Sequence, residues 1–212
     1  MTLGNIQNSI YKNTHTNVTN YSNADMVLDL NNAAERVHSI IRKHIDNFRP
    51  TAWTATELGT GTVTPVFDAL FHELIALWPS YHRAVADQLP SAAGFLAKIN
   101  ALEKGVEEFY GSRNYEVFTV TIASPGVFFK MNHNLKKNDR ISFITSGALP
   151  TGLSVDTFYW IISDGLDDDN FEVSATRDGS AINTSGTQSG THWFFVEGRN
   201  PRMTVNLNDS NK

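Results

Sequence analysis

Cysteine is absent from this chain of 212 residues, which excludes disulfide bonds and thiol chemistry. A chain without cysteine is compatible with a reducing cytoplasm. Residues 1–8 contain neither the basic segment nor the apolar segment of a secretory signal peptide, so we expect no such peptide. No apolar run approaches the ~20 residues that a membrane-spanning helix requires, and we therefore expect no membrane partner.

Positive charge is also scarce. The chain carries 17 lysine and arginine residues against 22 aspartate and glutamate residues, which gives a net charge of −5. Most of the deficit falls within residues 116–198. Such an acidic chain lacks the basic patch that sequence-specific nucleic-acid binding requires. Its 41% of hydrophobic residues are nevertheless enough to build folded cores, so wholesale disorder is excluded.

Hydrophobic spacing predicts helices in the first half of the chain. After a short N-terminal helical turn or two, a long helix is predicted from an N-cap at Ser22 or Asn23 to Phe48. Pro50 would end it, because a proline disfavours the helical conformation of the preceding residue. Residues 51–64 form a long connector that we interpret as an irregular loop.

Two further helices are predicted beyond this connector. Pro65 would open a helix that is apolar on two sides, which predicts a central position or burial against a partner chain. Pro79 is expected to kink this helix. Pro90 opens the next helix, and Gly111 is its expected C-terminal cap.

The periodicity changes to strict alternation after Tyr115. Phe118, Val120 and Ile122 are predicted to share one face of a strand. Further strands are predicted over residues 140–145, 157–163, 171–175 and 192–196. The expected class is α+β, with a bundle of about three main helices followed by a small all-β sandwich or barrel. The predicted domains are residues 1–114 (helical), residues 115–198 (β) and residues 199–212 (C-terminal arm).

Residues 143–192 contain the most distinctive sequence motifs of the chain. They include Leu-Pro-Thr-Gly-Leu at residues 149–153 and Ala-Ile-Asn-Thr-Ser-Gly-Thr-Gln-Ser-Gly-Thr-His at residues 181–192. With the strands between them, these segments resemble a β-module that recurs in virion structural proteins of tailed bacteriophages. The resemblance covers about residues 117–195 and implies a component of a phage particle.

The helical half resembles a second family. Its order of helices, its tryptophan-bearing connector and the sequence Phe-Asp-Ala-Leu-Phe-His-Glu-Leu-Ile at residues 67–75 are similar to head-to-tail adaptor (connector) proteins of tailed phages. This resemblance implies a ring of about twelve copies beneath the portal. It also implies assembly in the host bacterial cytoplasm, location in the virion neck, and partners that include the portal and tail or neck proteins. An acidic ring lining the DNA channel would not adhere to DNA.

Residue patterns that could support chemistry are incomplete. His72 and Glu73 begin like a zinc-protease helix, but Ala76 replaces the second histidine, so we expect a helix whose His72 and Glu73 face solvent or a neighbouring subunit. Residues 167–170, Asp-Asp-Asp-Asn, do not have the spacing of a calcium loop and are interpreted as an acidic surface turn. We expect no enzyme activity, no metal site and no cofactor.

Interface residues are predicted from their type and position. Arginine and tryptophan are favoured interface anchors, and Trp53 either folds over its own bundle or contacts a neighbouring subunit or the portal. The arm could add a strand to a neighbour's sheet. The candidate oligomer or portal contacts are Arg49, Trp53, Glu57, Phe71, Trp78, Arg199, Arg202, Met203 and Val205.

An alternative function is a tail or capsid-surface module that recognises a host glycan or receptor. Aromatic side chains on a small β-domain would supply the stacking surface for sugars. The candidate stacking residues are Tyr159, Trp160 and Trp193.

Overall fold

Residues 1–199 of the computed structural model can be described, and they fall into two units. The helical unit spans Met1–Glu108, and the barrel unit begins at Phe109. The predicted α+β class is confirmed, because helices occupy the first part of the chain and an antiparallel sheet the second.

The described residues contain five α-helices: α1 (Leu3–Thr14), α2 (Asn23–Ile41), α3 (Ala55–Thr60), α4 (Glu73–Ala86) and α5 (Ala92–Gly111). A 3-10 turn, Ala69–Phe71, precedes α4. The first helix is a full element rather than the turn or two expected. None of the helices within residues 1–199 combines the length and the apolar character needed to cross a membrane.

Helix α2 begins as predicted and ends earlier. The Ser22 hydroxyl caps it by accepting from the Asp25 backbone N–H. The predicted extension to Phe48 is wrong, because the chain leaves the helix after Ile41 and reaches a left-handed conformation at Asn47 (φ 60°). Phe48 is still fully buried. The spacing of apolar residues therefore predicted the burial of Phe48 correctly but not its backbone conformation.

The connector over residues 51–64 is partly helical, which corrects its interpretation as a loop. Thr54 and Glu57 form a reciprocal capping box at the start of α3. Gly61, with φ of 67°, terminates the helix in the left-handed conformation. Threonine followed three residues later by glutamate was the signal for this helix in the sequence.

Helix α4 is the central element of the helical unit. It packs against both α1 and α2, and its consecutive residues Leu74–Ser80 are all buried. Of the two positions predicted for this helix, the central one is observed. The helix starts at Glu73 rather than near Pro65 and continues through Pro79 to Ala86.

Within residues 1–199, seven strands form one antiparallel sheet in the order β5-β2-β1-β7-β3-β4-β6. Their bounds are β1 (Glu116–Val120), β2 (Phe128–Phe129), β3 (Arg140–Thr145), β4 (Phe158–Ile161), β5 (Asn170–Phe171), β6 (Val173–Ser174) and β7 (His192–Val196). Strands β5 and β6 flank Glu172 within one segment, and they pair with β2 and β4 respectively. The sheet therefore curls into a nearly closed barrel, one of the two predicted architectures.

Side chains of alternate strand residues fill the barrel. Phe118, Phe128, Phe143, Phe171 and Phe194 are among its fully enclosed rings. The predicted inward position of Ile122 is wrong, because β1 ends at Val120 and Ile122 is 46% exposed. The two-residue strand β2 was not predicted.

The two distinctive sequence segments lie side by side in the barrel unit. Ala148 forms a β-bridge with Ser189, and Thr151 forms one with Ser185. Gly152 has φ of 106°, and a Cβ atom there would overlap the carbonyl oxygen of Asn183. Glycine is required at this position both by the left-handed backbone and by the close approach of the second segment.

Candidate functional site

The outer face of β3, β4 and β7 carries aromatic and arginine side chains. Phe158 and Trp160 flank the inward-facing Tyr159, as strand alternation requires. Ser142 on the central strand is paired with Phe158 on one side and with Phe195 on the other. The small serine leaves space for these two rings to meet edge to face, with centroids 6.1 Å apart.

Arginine side chains extend these rings into a continuous stack. The guanidinium carbon of Arg113 lies 3.6 Å from the ring centroid of Phe109 and 4.9 Å from that of Phe195. That of Arg140 lies 4.6 Å from Phe158 and 5.2 Å from Trp160. The arginine–aromatic row is therefore, in order, Phe109, Arg113, Phe195, Phe158, Arg140, Trp160 and Arg177.

Only the middle of this row is neutralised. Arg140 forms a 2.6 Å ion pair with Glu197. Arg113 donates instead to the backbone oxygen of Phe109, and neither Arg113 nor Arg177 has a carboxylate in ion-pair range within residues 1–199. The row thus places two cations without an ion pair among the described residues on a unit whose charged residues are mostly acidic.

A groove of about 280 Å³ opens beside Arg113. Phe158 and Phe195 provide its apolar wall, and Glu197 and Arg199 provide charged atoms. Arg199 is held by Asp139 at 2.6 Å and by the backbone oxygen of Asn134 at 2.9 Å. An apolar wall with a few fixed polar groups is typical of small-ligand sites.

A second groove, of about 350 Å³, lies where β1 and the chain before β7 diverge. His192 Nδ1 is 2.8 Å from the Thr145 hydroxyl, and its Nε2 is 3.2 Å from Gln188 Oε1. Gln188 in turn donates to the backbone oxygen of Val120 at 2.9 Å. Burial lowers the pKa of His192, which favours its neutral form. The chain of contacts connects the imidazole to the strand and fastens the second distinctive segment.

Two of the predicted interface residues are wrong as surface anchors. Phe71 and Trp78 are buried within the helical unit. The Trp78 indole donates to Glu103 at 3.1 Å, and the guanidinium carbon of Arg36 lies 3.8 Å from its ring centroid. These contacts satisfy the polar edge of the tryptophan and cover its face.

The remaining interface candidates lie in different places. Arg49 is exposed and Trp53 is half-buried. Glu57 belongs to the capping box of α3, where its side chain accepts from the Thr54 backbone N–H. Arg199 lines the groove on the barrel unit. The other three candidates, Arg202, Met203 and Val205, lie outside the described residues.

The predicted stacking residues are also largely enclosed. Tyr159 is buried inside the barrel, and its hydroxyl accepts from the Ser154 backbone N–H. Trp193 is only 1% exposed. Trp160 alone of the three is partly accessible. Sequence analysis missed Phe158 and Phe195, although each alternates with an enclosed residue and so had to face outward.

The other polar sequence motifs, the His72–Glu73 pair and the aspartates of residues 167–170, make contacts with nearby groups of their own unit. The prediction that His72 faces solvent or a neighbouring subunit is wrong, since His72 is 2% exposed and its Nε2 lies 2.7 Å from the Phe67 backbone oxygen. Glu73 pairs with Lys98 at 2.5 Å. The Asp167 carboxylate accepts from the backbone N–H groups of Asp169 and Asn170, which forms the expected acidic turn and lowers the pKa of Asp167.

Comparisons of this chain with protein-family models, with curated proteins and with solved structures found no match.

Proposed function

We propose that this protein is a structural component of a tailed-bacteriophage particle, and specifically a head-to-tail adaptor. It would form a ring of about twelve copies between the portal and the tail or neck. The helical unit would supply the ring, and the barrel unit would be displayed on it.

The observation that carries this proposal lies in the barrel unit. The two segments that resemble the phage module are distant in sequence, yet they bridge each other at Ala148–Ser189 and Thr151–Ser185. The region of resemblance also coincides with a whole barrel, from β1 to β7. A resemblance that matches a self-contained folded unit supports a portable module, as expected for a domain shared among particle proteins.

The ring contacts of the helical unit require a different surface from the one suggested by its sequence. Most apolar residues of α4 are already covered within this chain, and Val85 is an exception at 50% exposed, so α4 supplies little excess apolar surface to a neighbour. Leu28 and Leu70 are instead 63% and 69% exposed. Exposed leucines of this kind are the candidate contacts between copies.

The proposal is tested by mass measurement of the full chain with and without portal rings of the same virus. A dodecamer-sized species, formed alone or on the portal ring, is expected. Leu28→Asp with Leu70→Asp should abolish it, while Asn32→Asp with Ala69→Asp, at exposed neighbouring positions, should not. A chain that stays monomeric in the presence of portal rings contradicts the adaptor function.

A further inference from the structure

We infer that the arginine–aromatic row binds an acidic glycan, a carbohydrate whose sugar rings carry carboxylates. The inference goes beyond the proposed structural function and does not depend on it. It commits the row to a ligand class and names Arg113 and Arg177 as the residues that select for charge.

The first support is the rigidity of the aromatic surface. Phe158 and Trp160 project from one strand and Phe195 from another, and the Arg140 guanidinium lies over the two outward-facing rings of β4. Strand-borne rings fixed by their neighbours lose little conformational freedom on binding. The C–H face of a pyranose is apolar and fits such rings, while its hydroxyl groups remain available for polar contacts.

The second support is the charge at the two ends of the row. Arg113 and Arg177 have no carboxylate partner within residues 1–199. Each keeps its guanidinium in place by lying over an aromatic ring. A guanidinium binds a carboxylate through two parallel N–H donors, so each end is ready to accept an anionic group. The intervening Arg140–Glu197 pair leaves the centre neutral.

The third support distinguishes a glycan from an extended acidic peptide. A peptide that binds a sheet commonly adds a strand to a free edge. The two edge strands of this sheet, β5 and β6, are only two residues long and belong to one segment, Asn170–Ser174, so neither offers a long free edge to an added strand. Recognition would therefore rely on side chains of the outer face. This suits a ligand such as a glycan, which has no peptide backbone to pair with a strand.

The test is calorimetric titration of the full chain with tetragalacturonate and with an α2,8-linked tetramer of sialic acid. Galactotetraose serves as the neutral control and hexaglutamate as the peptide control. We expect saturable binding of at least one acidic glycan, no binding of galactotetraose, and weakening when the salt concentration rises from 50 to 500 mM. Failure of both acidic glycans to bind overturns the inference.

Variants locate the binding to the row. Arg113→Gln and Arg177→Gln should each weaken binding of the acidic glycan at least tenfold, and Trp160→Ala should also weaken it. Lys136→Gln is the matched control, since Lys136 is exposed on the same unit but lies outside the row. Unfolding temperature confirms that each variant is folded. Equal binding of hexaglutamate, or affinity unchanged in both arginine variants, contradicts a glycan site here.

Discussion

The side-chain amide of Asn31 brackets the backbone of Trp53, since it donates to the Trp53 carbonyl and accepts from the Trp53 N–H, both at 2.9 Å. Two hydrogen bonds from one residue of α2 thus fix the connector just before α3. The arrangement explains why a threonine-rich segment adopts one conformation there: its polar backbone groups are satisfied by a side chain.

Replacement of Asn31 should therefore destabilise the helical unit. Asn31→Ala removes both partners of Trp53 and is expected to lower the free energy of unfolding by roughly 1–3 kcal/mol. Urea denaturation followed by tryptophan fluorescence measures this change. The adjacent Asn32, which is exposed, provides the control, because Asn32→Ala should have little effect. Similar unfolding free energies for the two variants would show that the Asn31–Trp53 hydrogen bonds contribute nothing to stability.

Gly152 should tolerate no side chain. Gly152→Ala forces a Cβ atom against the Asn183 carbonyl and strains a left-handed backbone, so we expect a loss of at least about 2 kcal/mol in barrel stability. Gly198→Ala separates the two effects, because Gly198 also has positive φ (78°) but residues 1–199 place no atom within 4 Å of an added Cβ there. It should lose only the smaller strain contribution. Thermal unfolding of both variants measures the difference, and an equal loss would argue against the steric component.

His38 should make the stability of the helical unit depend on pH. Burial, the largest effect, lowers the pKa of His38 from 6.5 to about 4, although Glu35 at 3.8 Å from Nδ1 acts in the opposite direction and Arg42 in the same one. The unfolded chain binds a proton below pH 6.5 that the folded chain does not. The contribution is thus intact above pH 6.5 and is lost as the pH falls towards 4.

The size of this effect is roughly 2 kcal/mol between pH 7 and pH 5. In urea denaturation, His38→Gln should reduce the difference in unfolding free energy between the two pH values by about that amount. The pH dependence that remains is the contribution of His72, because burial also lowers the pKa of His72. His82→Gln is the control, since His82 is exposed. An unchanged slope in the His38 variant would refute the assignment.

Gln188 should be needed for the packing of the second distinctive segment. Gln188→Leu leaves the Val120 carbonyl and His192 Nε2 without the partners that Gln188 supplies. We expect a loss of roughly 1–3 kcal/mol, which is the usual penalty for unsatisfied enclosed polar groups. Thr187→Ala alters an exposed neighbour and should be nearly neutral. Chemical denaturation followed by circular dichroism tests both, and equal stability of the two variants would contradict this role.

Periodicity revealed much of the fold. The alternation at residues 140–145 and 192–196 predicted β3 and β7 at their observed bounds, because long buried strands carry a strong pattern. The two-residue strand β2 carries almost none. Spacing also continued through Phe48 although the helix had ended, since tertiary packing can bury a residue in a turn as effectively as in a helix.

The candidate surface was less accessible to prediction. Trp160 was selected for its residue type, but type alone did not separate it from Trp193, which is enclosed. The row depends on cross-strand register, which places Ser142 between Phe158 and Phe195. The row also depends on the packing of Arg113, which lies outside the strands, over the Phe195 ring. Neither relationship follows from local sequence.

The single segment that contains β5, Glu172 and β6 makes the barrel unit vulnerable at one place. The five residues Asn170–Ser174 supply the partners of both β2 and β4. A protease cut or a deletion there would therefore leave both β2 and β4 without these partners. Partial opening on one side alone is thereby disfavoured. The unit should consequently lose its structure in a single all-or-none step, with few half-open forms whose exposed strands could aggregate.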